Sequence, residues 1–357
     1  MKSDRPMPTL ATVAIDAPRR RAPAELHRTA SLPPLDARRA AQPRLSCVVP
    51  CLNEADNLDG VLERLTEALA SLTTSWELIV VDDGSTDGTV DRLRRDWSEV
   101  PRVRVLQLSR NFGKEAALSA GLKVARGDAV ILMDADAQHP PELLPELVRR
   151  WREGVDMVYA VRHNRQDEPR LKRWGARAFY RLLNAGDRFE VPPGAGDFRI
   201  MDRKVVDALM ALPERTRFMK GLYAWVGFTT LALPYQPAPR TSGASHFGPW
   251  HLLRLSLDGL TAFTTLPLRA VSVTGMLLAL AAFAYGAWLT VDYLLFSHPV
   301  SGWTTIVVGM MLFSGVQLVS LGIVGEYVGR IFDEVKQRPL YIVKADFGEG
   351  LGRPADR

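Results

Sequence analysis

The sequence predicts an α/β protein built on a doubly wound, mainly parallel sheet, and two observations carry that expectation. Short apolar runs of strand type alternate with helix-like segments between residues 45 and 161. Residues able to do chemistry stand just beyond those runs, at 50–54, 82–87, 111–114 and 134–138. In open parallel sheets that is where ligands bind. A third observation adds a membrane part. Residues 270–291 and 303–325 are apolar and carry no charge, and each stretch is long enough to cross a bilayer.

Taken in order, residues 1–43 are rich in Pro, Arg and Ala and have no apolar periodicity. They read as a disordered basic extension, with no signal-peptide core behind the first charges. Residues 45–50 form a strand ending at Pro50, and 53–72 a helix. A second strand covers 76–81, followed by an acidic turn in which Asp87 can cap the next helix. The third strand is 102–108, the next helix opens at 111–115, and the fourth strand is 128–133. Pro140 and Pro141 then open another helix, and 155–161 is a further strand. No G-x-G-x-x-G follows the first strand, so the dinucleotide-binding fingerprint is missing. The two cysteines, Cys47 and Cys51, are about 13 Å apart on an extended strand, too far for a disulfide. They read as small buried hydrophobes. The chain carries a formal charge of +5.

The chemistry centres on Asp134-Ala135-Asp136-Ala137-Gln138. A buried strand has no use for two carboxylates at its end unless a cation meets them. Two residues apart on an extended backbone, Asp134 and Asp136 can point the same way. Hard oxygen ligands of this kind suit Mg²⁺ or Mn²⁺ together with substrate phosphates; the bland alternative is a solvated acidic turn. Arg162, Arg165 and Arg199 follow, and guanidinium groups bind phosphate bidentately. Residues 170–183 are basic and amphipathic, and 250–263 read as a second interfacial helix. The loop between the two apolar stretches has no Lys or Arg, whereas Arg269, Arg330, Lys336 and Arg338 flank their outer ends. The positive-inside rule puts the globular part and the C-terminus in the cytoplasm.

Three segments resemble the family 2 glycosyltransferases with a GT-A fold: 48–54 (Val-Val-Pro-Cys-Leu-Asn-Glu), 81–89 (Val-Asp-Asp-Gly-Ser-Thr-Asp-Gly-Thr) and 134–140. The branch they resemble is the polyprenyl-phosphate glycosyltransferases, similar to dolichol-phosphate mannose synthase and bacterial GtrB-type enzymes. Residues 196–199, 214–218 and 224–228 add to the likeness. The resemblance implies an inverting transfer from a nucleotide diphosphate sugar, with UDP or GDP as carrier, to a polyprenyl phosphate. It implies nucleotide-sugar contacts at Pro50, Asn53, Glu54, Asp82, Asp83, Lys114 and Asp134. Metal and diphosphate would lie at Asp134, Asp136 and Gln138. Asp136, Asp197 and Arg199 would act in catalysis, and Arg162, Arg199, Arg240 and Ser245 would hold the acceptor phosphate. The loop 240–246 has His246 where the family carries Lys, and Ala176 stands where relatives often have Ser.

The implied organisation is an extension over 1–43, the GT-A domain over 44–248, an interfacial helix over 249–266, two transmembrane helices over 267–328 and a cytoplasmic tail over 329–357. The expected place is the cytoplasmic membrane, as a multi-pass protein facing the cytoplasm. A homo-oligomer, tetrameric in some relatives, is an expectation; a nucleic-acid partner is not. Two competing readings are a polysaccharide-extending family 2 synthase and an inactive nucleotide-binding scaffold. The first lacks its Gln-x-x-Arg-Trp motif and its extra membrane spans. The second is opposed by the intact Asp134, Asp136 and Gln138.

Overall fold

The computed structural model describes residues 39, 42–135, 139–162, 191–192, 195–215, 217–235, 266–296 and 302–352. The expected interfacial helices at 170–183 and 250–263 lie outside these residues. Eight strands form one sheet: β1 (Leu45–Cys51), β2 (Trp76–Asp82), β3 (Val103–Leu108), β4 (Ala129–Leu132), β5 (Met157–Arg162), β6 (Ala195–Asp202), β7 (Thr230–Tyr235) and β8 (Val343–Gly348). Their spatial order is β7-β5-β6-β4-β1-β2-β3-β8. β1 pairs in parallel with β2 and β4, β2 with β3, and β5 with β7. β6 runs against β4 and β5, and β8 against β3. The sheet is therefore mainly parallel, with two reversed strands.

The reason for burial is visible in β1, all seven residues of which are buried. A parallel strand covered on both faces reads as a continuous apolar run. Cys47, Val49 and Cys51 face one core, and Val48 faces the other. α1 (Leu58–Leu72) and α4 (Leu144–Arg152) pack Leu58, Leu62, Leu65, Leu69, Leu147 and Trp151 on the first face. α2 (Thr89–Arg92), prolonged by a wider turn over Leu93–Trp97, adds Leu93 and Trp97 there. On the second face lie α3 (Lys114–Val124), α5 (Arg203–Ala211) and α6 (Met219–Trp225), through Leu118, Leu122, Val205, Leu209, Leu222 and Tyr223. Each fully buried Leu contributes roughly 1.5–3 kcal/mol. Both cysteines are buried free thiols, and burial pushes Cys47 up to about 12.

α1 begins at Leu58, later than the sequence predicts. Asn53 takes a positive φ of 55°, a conformation that Asn tolerates and a helix does not. Residues 53–57 are therefore spent on the turn that leaves β1.

Two termini differ from expectation. Arg39, inside the segment read as a disordered extension, is 6% exposed. It pairs with Asp156 at 3.1 Å and Asp202 at 2.7 Å and donates to the Trp151 carbonyl. The segment read as a tail from residue 329 holds the last turns of a helix and a strand. α7 (Leu266–Phe296) and α8 (Trp303–Val335) are the two long apolar helices, and stretches within Ala270–Leu289 and Ile306–Val335 reach a mean hydropathy of 1.8 and 2.1. They are candidate membrane spans by length and composition. The chain leaving α8 turns back and adds β8 to the free edge of β3, with Val343 opposite Leu108.

Arg39→Ala takes the cation from buried Asp156 and half-buried Asp202, although Lys204 at 2.6 Å from Asp156 and the Trp151 Nε1 donor to Asp202 partly compensate. We expect a stability loss of roughly 3 kcal/mol, read as a lower thermal midpoint of the detergent-solubilised protein, with turnover per folded molecule unchanged.

Candidate active site

The carboxyl ends of β1, β2 and β4 lie side by side, since Cys51 pairs with Asp82 and Val48 with Leu132. The first two loops are stapled together. Asn53 Oδ1 accepts from the Thr86 amide at 2.8 Å, Thr89 Oγ1 from the Glu54 amide, and Asp87 Oδ2 from the Ala55 amide. Asp87 Oδ1 also accepts from the Thr89 amide, but the residue at the cap position of α2 is Gly88, so Asp87, expected to cap that helix, instead ties the two loops together.

Asp82 and Asp83 are buried, and both carboxylates already have backbone partners. Asp82 accepts from the Gly84 and Ser85 amides. Asp83 accepts from Phe112 at 2.8 Å and Gly113 at 2.9 Å, which pins the loop that opens α3. Burial raises both acids, against these hydrogen bonds. Gly84 is required here. Its φ is +77°, and a Cβ would lie 2.4 Å from the Arg110 carbonyl carbon. Of the residues expected to meet nucleotide, Asn53 is exposed, Glu54 is half-buried and Pro50 is buried within β1.

β6 supplies what a parallel strand could not. Because it runs backwards, Asp202 lies opposite Ala129 at the start of β4 and Arg199 opposite Leu132 at its end. The beginning of β6 therefore reaches the catalytic end of the sheet. Asp197 and Arg199, two residues apart, take the same face, opposite to Phe198 and Ile200. Lys114, the first residue of α3, bridges that strand to β4. Its Nζ lies 2.7 Å from Asp134 Oδ1 and 2.7 Å from Asp197 Oδ2. Burial alone would lower the Lys114 ammonium, but the two carboxylates reverse that and hold it above its ordinary value. Burial opposes ionisation of Asp134; Lys114, with His139, prevails and holds it well below the usual carboxylate range.

His139 was not singled out by sequence reasoning. It is 6% exposed, lies 3.6 Å from Asp134 Oδ2 through Nε2, and meets the Tyr235 hydroxyl at 3.0 Å through Nδ1. Phe198 packs against its ring. The only available signal was its place directly after the Asp134–Gln138 segment. Glu115 was also missed. It accepts from the Met219 amide, and burial, with Asp197's charge, raises it to about 7.

Arg199 needs correction. It was expected to act in catalysis and to hold the acceptor phosphate. It lies within β6, 2% exposed, with its guanidinium 3.5 Å above the Tyr223 ring. It donates to the Gly196 carbonyl and to Met157 Sδ. A fork enclosed in this way does not reach a lipid phosphate. Arg199 Nε, the Tyr223 hydroxyl and Asp197 Oδ1 are buried and have no hydrogen-bond partner among the described residues. They make a polar floor under the Lys114 bridge.

Arg162 ends β5, the neighbour of β6. Asp136, Gln138, Arg240 and Ser245 lie outside the described residues, as do Arg165 and His246. No cluster of three metal-capable side chains occurs among the described residues. Asp134 nevertheless fits the expected ion, because it is an ionised hard oxygen donor at the mouth of the site.

A mainly parallel sheet with a reversed strand that brings Asp197 beside Asp134 agrees with the GT-A fold that the sequence motifs imply. The chain belongs to glycosyl transferase family 2, whose domain matches residues 46–210. It is 45% identical over 304 residues to an uncharacterized glycosyltransferase of Synechocystis, covering 85% of this chain and 96% of that protein. It is 42% identical to the bactoprenol glucosyl transferase of Shigella phage SfII, covering 84% of this chain and 97% of that protein. It is 40% identical to the prophage bactoprenol glucosyl transferase homolog of Escherichia coli, over 84% and 98%.

Glu115 yields a pH test. Its ordinary value is 4.5 and its folded value about 7, so the folded state holds the proton more tightly. Stability should therefore fall as pH rises from about 4.5 to 7 and level off above. Glu115→Gln should flatten that slope and be the more stable protein at pH 8, as measured by thermal unfolding across pH.

Proposed function

We propose that this glycosyltransferase moves a sugar from a UDP- or GDP-sugar to the phosphate of a polyprenyl phosphate, at the cytoplasmic face of a membrane spanned by α7 and α8. One observation carries this reading. Asp134, Asp197 and Lys114 meet at the end of the sheet where the chain from α8 enters it, beside Leu108. A site at that end faces a substrate whose reacting group is held at a bilayer surface. The bactoprenol glucosyl transferases among the relatives support the choice of acceptor. The absence of charge-bearing Lys or Arg between the two spans supports the orientation.

The donor base and ribose take the rim formed by Asn53, Glu54 and the turn after β2, with Pro50 buried beneath it in β1. Asp82 and Asp83 act there by fixing the loops, since their carboxylates are already committed to backbone amides. Asp134, Asp136 and Gln138 would hold Mg²⁺ or Mn²⁺, which supplies positive charge to the departing diphosphate. Lys114 adds a fixed cation beside the same group.

The nucleophile is an oxygen of the lipid phosphate. A phosphate monoester has a second pKa near ~6, so it is largely ionised at neutral pH. No strong general base is needed. The bond from the anomeric carbon to the diphosphate breaks, and a bond to the lipid phosphate forms on the opposite face, inverting the centre. Asp197, tethered to Lys114, orients the sugar. Arg162, Arg240 and Ser245 hold the acceptor phosphate. Arg199 serves from below, as a buried cation that balances Asp197 and Glu115.

Asp136→Ala should reduce transfer at least about a hundredfold while the protein stays folded and in the membrane. A chelator should stop the wild type, and Mg²⁺ or Mn²⁺ should restore it. The deciding assay incubates membranes with labelled UDP- and GDP-sugars and undecaprenyl phosphate. Label should pass into the lipid extract; a full-length, metal-supplied enzyme that labels only a growing polysaccharide would favour the synthase reading instead.

A further inference from the structure

His139 joins Asp134, just past the end of β4, to Tyr235, the last residue of β7. Two strands, β5 and β6, separate β7 from β4 in the sheet, so the imidazole spans a gap that no backbone pairing crosses. Its placement is fixed from several sides. It precedes Pro140, which biases its backbone toward extended geometry, and Pro140 is itself extended, with φ −73° and ψ 119°. Its ring centroid lies 4.9 Å from that of Phe198 and 5.7 Å from that of Tyr235. Those two rings meet edge to face at 6.4 Å, and all three residues are buried.

A phenylalanine would fill such a box of rings. A histidine brings two polar nitrogens that need partners when buried. Nδ1 lies 3.0 Å from the Tyr235 hydroxyl, and Nε2 lies 3.6 Å from Asp134 Oδ2. An ionised carboxylate only accepts, so the hydrogen belongs on Nε2, and Nδ1 then accepts from the Tyr235 O–H. The Nε2 contact is longer than a hydrogen bond and acts as a dipole aimed at the carboxylate. The other oxygen, Asp134 Oδ1, has Lys114 Nζ at 2.7 Å. Asp134 is thus held from two sides, and each of its oxygens keeps a further lone pair for an ion.

We propose that Tyr235 and His139 are positioning residues for the divalent ion. Tyr235 fixes the tautomer and tilt of His139, and His139 fixes the orientation of Asp134. With Nδ1 filled by Tyr235 and the Nε2 hydrogen facing Asp134, His139 offers no nitrogen to the metal. Outer partners of this kind are worth about 10–100-fold in metal affinity. The inference rests on the reading of Asp134 as a metal ligand.

The test is Mn²⁺ binding to the full-length protein in detergent. It is read as loss of the free Mn²⁺ electron paramagnetic resonance signal with UDP or GDP present, corrected for the nucleotide alone. His139→Phe, which keeps a ring in the box, should weaken Mn²⁺ binding about tenfold. Tyr235→Phe, which removes one hydroxyl and keeps the packing, should weaken it about threefold. The double variant should be no weaker than His139→Phe alone, because Tyr235 acts through His139. In transfer assays the Mn²⁺ concentration for half-maximal rate should rise by the same factors, with kcat at saturating Mn²⁺ within about twofold of the wild type. Unchanged Mn²⁺ affinity with a lowered thermal midpoint would show a packing role alone and overturn the proposal, as would losses that multiply in the double variant. A nitrogen hyperfine coupling to bound Mn²⁺ that is present in the wild type and lost in His139→Phe would overturn it as well, by making His139 a ligand. Asp136→Ala separates the two levels. If that variant binds Mn²⁺ as the wild type does, or the wild type binds none, the metal reading fails and this inference with it. If Asp136→Ala loses Mn²⁺ while His139→Phe and Tyr235→Phe retain it fully, only this inference fails.

Discussion

The bridge from Lys114 to Asp134 and Asp197 is the constraint around which the catalytic end is arranged. Two carboxylates from adjacent antiparallel strands cannot share a half-buried space without a cation between them. Lys114 reaches both because α3 begins where Asp83 holds the preceding loop through the Phe112 and Gly113 amides. A close approach of α3 to the sheet is needed as well. Gly121 provides it, since a Cβ there would lie 2.2 Å from Val48 Cγ1. Sequence, loop geometry and helix packing therefore converge on the position of one ammonium group.

The same logic explains why the interior beneath the bridge is polar. Arg199 is enclosed by Tyr223 and Tyr159 and faces Asp197 and Glu115. An unpaired buried guanidinium would be expensive, and unpaired carboxylates equally so. Together they balance, with Glu115 left readily protonated. The arginine that a sequence reading assigns to the substrate is thus an internal counter-charge.

Much of this was legible in the sequence. The apolar runs of β1 to β4 and the acidic turns after them follow from composition and spacing alone, because fully buried parallel strands tolerate little else. Asp134, Asp197 and Lys114 were all singled out. The reversal of β6 was not legible, since an eight-residue strand carries no signal of direction, and that reversal decides whether Arg199 faces outward or inward. The strand at 343–348 was hidden for a similar reason. Val343, Ala345 and Phe347 alternate with Lys344 and Asp346, yet nothing in so short a run names its partner, and its pairing with β3 is an edge contact across more than two hundred residues. Arg39 was missed because its partners, Asp156 and Asp202, are far away in the chain. His139 gave no periodic signal, and only the fold brings Tyr235 to it.

The return of the chain from α8 into the sheet joins the two halves of the molecule at the catalytic end. The two long apolar helices and the site are thereby linked through the same strand pair, β3 with β8. The most direct test of the account is a double-mutant cycle on lipid-linked product formation, using Lys114→Met, Asp197→Asn and the pair. If one bridge organises the site, the double variant should be hardly worse than the more damaging single variant, giving a coupling of at least about 1.5 kcal/mol. Losses that simply multiply would contradict the account, because Lys114 and Asp197 would then act independently.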